Sequence, residues 1–294
     1  MVVASPAGHH RRVELPLVPI IHAIILGLVQ GLSEFLPISS SGHLLLVPWL
    51  FNWHDFDNNS AIEKAFDVAL HLGTLVAVVG YFRRELVVYV REGVRLVIHR
   101  ERPATPEGRL AWLLVLSSLP AAVAGALFET TIDDKLGKPG LIAVSLIVFG
   151  VLLGLSDRRA GSRTVDDFDR DDALKVGAAQ VLALNPGTSR SGITMTAARY
   201  LGFTRDAAAR ASFLIAVPVT AGAVAYKLLK LAKDGVPAGL GVPMIVGIIT
   251  AGLSGWAAVW GMLRLIRTRS FMPFVIYRCA LGAVVLVILA AGWR

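Results

Sequence analysis

Two short polar stretches hold the residue types from which chemistry could be built. The first is Glu34-Phe-Leu-Pro-Ile-Ser-Ser-Ser-Gly-His43, preceded by Gln30, and the second is Asn185-Pro-Gly-Thr-Ser-Arg-Ser-Gly-Ile-Thr194. In the first, a carboxylate, the hydroxyls of Ser39, Ser40 and Ser41, and an imidazole lie close together. Such a set can supply a metal ligand, a nucleophile and a proton shuttle. Gln30 and Glu34 are four apart and share one helix face. In the second, Pro186 stops a helix, Gly187 permits a tight turn, and Ser189–Ser191 can open the next helix. Backbone N–H groups at that helix start, with Arg190 among them, would bind phosphate.

Both stretches have blander readings. Serine runs commonly cap helices, Glu34 could merely pair with Arg190, and the second stretch could be a polar cytoplasmic loop. The surroundings weigh against these. The flanking segments are too short to span a bilayer and too apolar for a soluble loop. An arginine near the bilayer centre costs roughly 2.5–3.5 kcal/mol on insertion scales, and a bare turn there leaves backbone groups unsolvated. Such stretches persist only when buried in protein or lining a wet cavity.

The composition is 55% hydrophobic, mean hydropathy is +0.64, and apolar runs recur along all 294 residues. This pattern indicates a polytopic all-α membrane protein forming a single membrane domain over 1–294. The formal charge of +8 comes largely from arginines in short loops, where it reads as topology and favours anionic lipid rather than nucleic acid. Cys279 is the only cysteine, which excludes an intramolecular disulfide and a cysteine metal cluster. The tract Met1–Pro16 lacks a small-residue cleavage site after its apolar run, so no removable signal peptide is expected. P-loop, dinucleotide and zinc-spaced motifs are missing from the sequence, as are nucleic-acid modules.

The elements that must position the polar stretches follow from the apolar runs. Leu17–Leu32 leads into the first stretch and Leu44–Phe51 leads out of it. Pro37 disfavours helix at Leu36, so this unit reads as a re-entrant hairpin. Three spans follow, at Ala65–Phe82, Leu110–Phe128 and Gly140–Leu155, with Leu86–Ile98 as an amphipathic surface helix. After a soluble loop at Ser156–Asp172, a second hairpin occupies Ala173–Phe203. Spans at Ala211–Ala232, Leu240–Leu263 and Pro273–Trp293 close the chain. Hairpin plus three spans therefore occurs twice, over about 17–155 and 173–293, and the odd span number makes the copies inverted. Pro37-x-Ser-Ser-Ser-Gly42 matches Pro186-Gly-Thr-Ser-Arg-Ser-Gly192, and Phe66–Thr74 matches Phe213–Thr220 more loosely. The arginine-rich loops 83–109, 156–172 and 264–269 should face the cytoplasm, which puts both termini outside.

Other polar residues take supporting parts. Asp67 is a candidate to support the site, His71 a helix-packing residue and His22 an interfacial one. Ser117 and Ser118 should satisfy the backbone kinked at Pro120. Arg278 is expected to snorkel from the cytoplasmic end of the last span.

The motifs Gln30–His43 and Ala183–Thr194, with Phe66–Val79, Ser212–Pro218 and Ser270–Arg278, resemble those of the integral-membrane undecaprenyl-diphosphatases, also called bacitracin-resistance proteins. The resemblance covers nearly the whole chain. It implies hydrolysis of a C55 polyprenyl diphosphate to the monophosphate, recycling the carrier lipid for cell-wall synthesis in a bacterial cell membrane, with the site facing outward. It carries catalytic roles to Glu34, Ser40, His43 and Arg190. Substrate contact is expected at Gln30, Ser39, Ser41, Gly187, Ser189, Ser191, Gly192 and Thr194. Mg²⁺ or Ca²⁺ would bridge diphosphate oxygens to Glu34. Many members have glutamate where this chain has Gln30, and an amide is neither a base nor an anionic ligand. Either Ser40 or His43 would attack, and the other, or Glu34, would manage the proton; if Ser40 attacks, His43 is the favoured base. The rival class is a transporter or flippase of a lipid phosphate, since inverted repeats with broken helices are transporter architecture. A homodimer is a further candidate assembly.

Overall fold

The computed structural model describes residues 18–56, 60–98, 105–234 and 239–294. The tract Met1–Pro16, and with it the signal-peptide expectation, lies outside these residues. Among the described residues the regular elements are all helices, with one isolated bridge between Arg163 and Phe203.

The first hairpin is α1 (Ile20–Phe35) and α2 (Ser40–Phe51). Their 16 and 12 residues are roughly 24 and 18 Å long at 1.5 Å per residue, short of the ~30 Å hydrocarbon core. The chain breaks where Pro37 forces Leu36 into an extended conformation, φ −68° and ψ 142°. Next come α3 (Ser60–Tyr81), α4 (Arg83–Ile98), α5 (Pro106–Lys135) and α6 (Pro139–Asp157). The second hairpin is α7 (Arg170–Val181) and α8 (Arg190–Tyr200), of 12 and 11 residues. The chain ends in α9 (Arg205–Asp234), α10 (Gly241–Leu265) and α11 (Met272–Ala290).

Five helices among the described residues, α5, α6, α9, α10 and α11, are long and apolar enough to cross a membrane. The pair α3 and α4, bent by 85°, makes a sixth when taken together. The chain is thus an all-α polytopic membrane protein, and α4 turns aside from α3 as its amphipathic sequence indicates. Its buried Glu92 is paired with Arg91 at 3.0 Å and Arg95 at 3.4 Å.

Two contacts seat the hairpins. Helices α1 and α3 both pack on α10, and α7 packs on α5. Phe35, at the end of α1, meets Phe213 of α9 edge to face at 5.6 Å. At the far end of α7, Arg163 bonds Asp172 at 2.5 Å and the carbonyl of Leu201, tying the polar loop to both arms of the second hairpin. Asp157 likewise accepts from Arg205 at 2.5 Å and from the Phe271 N–H at 3.0 Å. In that loop, hydrogen bonds from the Thr164 N–H and hydroxyl hold the Asp167 carboxyl below its ordinary pKa.

Ser117 and Ser118 donate to the carbonyls of Leu113 and Leu114 beside Pro120, as their sequence context suggests. His22 bonds Asp55 at 2.6 Å and stacks on Trp53 at 3.7 Å.

Candidate active site

The tips of the two hairpins meet, and each is shaped by the same local device. Ser39 and Ser189 take positive φ, 80° and 75°, and each side chain accepts the N–H of the glycine three residues on, Gly42 and Gly192. This N-cap forces a sharp entry into the following half-helix. The tips are then stitched together. Ser39 Oγ accepts from the Gly187 N–H at 3.0 Å, and Ser191 Oγ donates to the Leu36 carbonyl at 3.0 Å. Gly187 sits at φ 92° with its Cα against the Ile142 carbonyl, where a Cβ would stand 2.6 Å from that oxygen.

Glu34 is the hub of the site. Ser40 Oγ donates to its Oε2 at 2.6 Å, Gln30 Nε2 donates to the same oxygen at 3.1 Å, and Arg190 Nη2 donates to Oε1 at 3.2 Å. Glu34 and Arg190, 156 residues apart in sequence, are therefore joined at the hairpin tips. The pair is largely buried, so deleting one partner should cost about 3–5 kcal/mol through the charge left behind. Arg190 also donates to the Ser212 carbonyl of α9.

His43 lies apart from this network. Its Nδ1 meets the Ser39 carbonyl at 2.7 Å and its Nε2 meets the Tyr277 hydroxyl at 2.7 Å. A carbonyl only accepts, so the neutral ring has its proton on Nδ1 and its Nε2 accepts from Tyr277. The sequence led us to expect His43 as base for Ser40. In the structure the Ser40 hydroxyl donates to Glu34, the other expected proton acceptor, because the break brings the serine back over the end of α1.

The other expected residues separate by position. Ser39, Gly187, Ser189, Ser191 and Gly192 build the fused tip, while Ser41 is exposed at the start of α2. Thr194 turns away, donating to Ser212 Oγ at 2.8 Å and so clamping α8 to α9.

Three residues escaped the sequence reading. His71 is more than a packing residue, since its Nε2 stands 4.0 Å from Glu34 Oε2. Tyr277, within the Ser270–Arg278 motif but given no role there, bonds His43. Arg278 does not snorkel: it is 0% exposed and bonds the carbonyls of Pro37, Leu146, Gly187 and Thr188. Its place seven residues into α11, too deep for an easy exit to water, was the available signal.

The profile of the bacitracin resistance protein BacA family matches residues 23–284. The chain belongs to this family. It is 46% identical over 275 residues to an undecaprenyl-diphosphatase of Pelobacter propionicus, covering 93% of this chain and 98% of that one. An undecaprenyl-diphosphatase of Geobacter sulfurreducens is 46% identical over 274 residues, with 92% and 99% covered. One from Moorella thermoacetica is 43% identical over 270 residues, with 92% and 97% covered. The BacA match takes in both hairpin tips and all of the site residues described above.

Proposed function

We propose that this BacA-family chain hydrolyses undecaprenyl diphosphate to the monophosphate and inorganic phosphate, with the lipid tail in the bilayer and the diphosphate at the hairpin tips. The observation that carries the reading is the convergence of Ser40 and Arg190 on opposite oxygens of Glu34, at the fused tips of two membrane half-spans. The names of the relatives, all undecaprenyl-diphosphatases, support the same substrate.

The chain's own residues suit a two-step transfer. Ser40 Oγ attacks the terminal phosphorus while its proton passes to Glu34 Oε2, and the bond to the lipid monophosphate oxygen breaks. Water then cleaves the phosphoserine, releasing inorganic phosphate and restoring the hydroxyl. Arg190 and the N–H groups at the starts of α2 and α8 stabilise charge on the transferred phosphoryl group. Tyr277 holds His43 in the Nδ1–H form.

The donor set fits a hard divalent cation. Gln30 Oε1 is a buried oxygen without a hydrogen-bond partner, on the same helix face as Glu34. The described residues hold no cluster of three His, Cys, Asp or Glu, so diphosphate oxygens must complete any such site. Mg²⁺ or Ca²⁺ held by Glu34 and Gln30 would supply charge neutralisation on the diphosphate.

The same reading makes 17–155 and 173–293 inverted copies within one membrane domain in the bacterial cell membrane, with the site open to the outer face. Contacts exchange in the way this requires: α1 and α3 pack on α10, while α7 and α9 pack on α5. Gln30 and Gln180 stand at equal distances before Ser39 and Ser189, both buried, each with an unpartnered Oε1. A transporter alone would not need a serine hydroxyl bonded to its buried carboxylate. The test is phosphate release from undecaprenyl diphosphate by the purified protein in detergent; release is expected, and its absence would overturn the assignment.

A further inference from the structure

Arg278 belongs to neither hairpin, yet it touches both. Its guanidinium donates to the Pro37 carbonyl at 3.0 Å in the first break and to the Gly187 and Thr188 carbonyls at 2.9 Å in the second. Nε donates to the Leu146 carbonyl of α6 at 3.2 Å. Every one of these acceptors is main chain, and among the described residues no carboxylate forms an ion pair with it. A charge buried this completely is costly unless hydrogen bonds replace its water. Here they do, at three carbonyls that the breaks leave outside any helix and at the Leu146 carbonyl within α6.

We infer that Arg278 is the positioning residue that holds the two hairpin tips in register. Its planar fork spans three chain segments at once, which fixes the Ser40–Glu34 side of the site against the Arg190 side. The neighbouring packing is tight around this role. A Cβ at Gly192 would stand 2.9 Å from Arg278 Nη1, and one at Gly150 would stand 3.2 Å from its Cβ and 3.5 Å from Nε. Arg278 touches no reacting atom, so its effect passes through the placement of Ser40 and Arg190. Lysine cannot replace it, because a single ammonium with three donors cannot reach carbonyls on three segments.

This inference rests on the phosphatase reading, so phosphate release by the unaltered full-length protein in detergent is measured first. No release would overturn that reading, and this inference with it. With activity in hand, kcat and KM for undecaprenyl diphosphate are compared in Arg278→Lys and Gly150→Ala, alongside elution as a folded species. A misplacement of about 1 Å is expected to lower kcat roughly 100-fold in Arg278→Lys, with KM held within about threefold. Gly150→Ala presses on Arg278 from α6 without entering the site, and should lose about 3- to 10-fold in kcat at unchanged KM. If Arg278→Lys fails to fold, Gly150→Ala decides. Folded variants with near-normal kcat, or losses tracking only the folded fraction, would overturn the positioning role.

Discussion

The two hairpins use one backbone device for opposite chemical ends. In each, a serine at positive φ caps a glycine three residues later, and a buried glutamine stands at the same spacing before it. The residue following the cap serine opens the half-helix: Ser40 in the first hairpin, Arg190 in the second. Those two side chains reach the two oxygens of one carboxylate, Glu34, whose counterpart by spacing in the second hairpin is Leu184. Likewise His43 in the first stands where Ile193 stands in the second. The difference teaches that the scaffold supplies placement and helix-start N–H groups from both sides, while a few side chains divide the labour. In the proposed mechanism one hairpin holds nucleophile and base, and the other holds the cation.

Breaking this division should cost most at the hub. Glu34→Gln keeps the shape but removes the base and leaves Arg190 unpaired, so kcat should fall about 10³-fold or more in a phosphate-release assay. Arg190→Lys comes next, with kcat/KM down about 10²-fold, because a point charge cannot reach both Glu34 and the Ser212 carbonyl as the fork does. His43→Gln should lose only about tenfold, since the Ser40 proton goes to Glu34; a loss equal to that of Glu34→Gln would restore His43 as the base. The Gln30→Ala change should lower kcat a few-fold and raise the Mg²⁺ or Ca²⁺ concentration needed for half-activity about tenfold. Smallest is the paired test of the caps. Ser39→Gly and Ser189→Gly keep the positive φ but lose the side-chain acceptor, and each cap loss should cost about a few tenths of a kcal/mol of stability. Ser39→Gly should cost the more of the two, because its hydroxyl also accepts from the Gly187 N–H; a larger loss in Ser189→Gly would contradict this account of the tips.

Much of this arrangement was legible because it is local. Pro37 and Pro186 mark the breaks, the serine–glycine pairs mark the restarts, and runs of 11–16 residues are too short to cross. Glycine and proline punctuation acts within a few residues, so sequence spacing reports it faithfully. What was not legible depends either on the broken backbone between two helices or on chain segments far apart. That Ser40 bonds Glu34 rather than His43 follows from the fold-back at Leu36–Ser39, which helix periodicity does not describe. Tyr277 is 234 residues from His43, and no pattern within either segment announces the contact. Arg278 was misread because an arginine near a helix end usually reaches water, and only packing with α6 and both breaks shows it enclosed. His71 was set aside for the same reason, as its nearness to Glu34 exists only once α3 is docked beside α1.

The central claim is that Ser40, deprotonated by Glu34, takes the phosphoryl group. Rapid quench of the purified protein with terminally labelled undecaprenyl diphosphate, followed by acid treatment and peptide mapping, tests it directly. Phosphoserine withstands acid and phosphohistidine does not, so the account predicts acid-stable label on Ser40, absent in Ser40→Ala. Acid-labile label on His43 would contradict it, and so would turnover through Ser40→Ala at the unaltered rate.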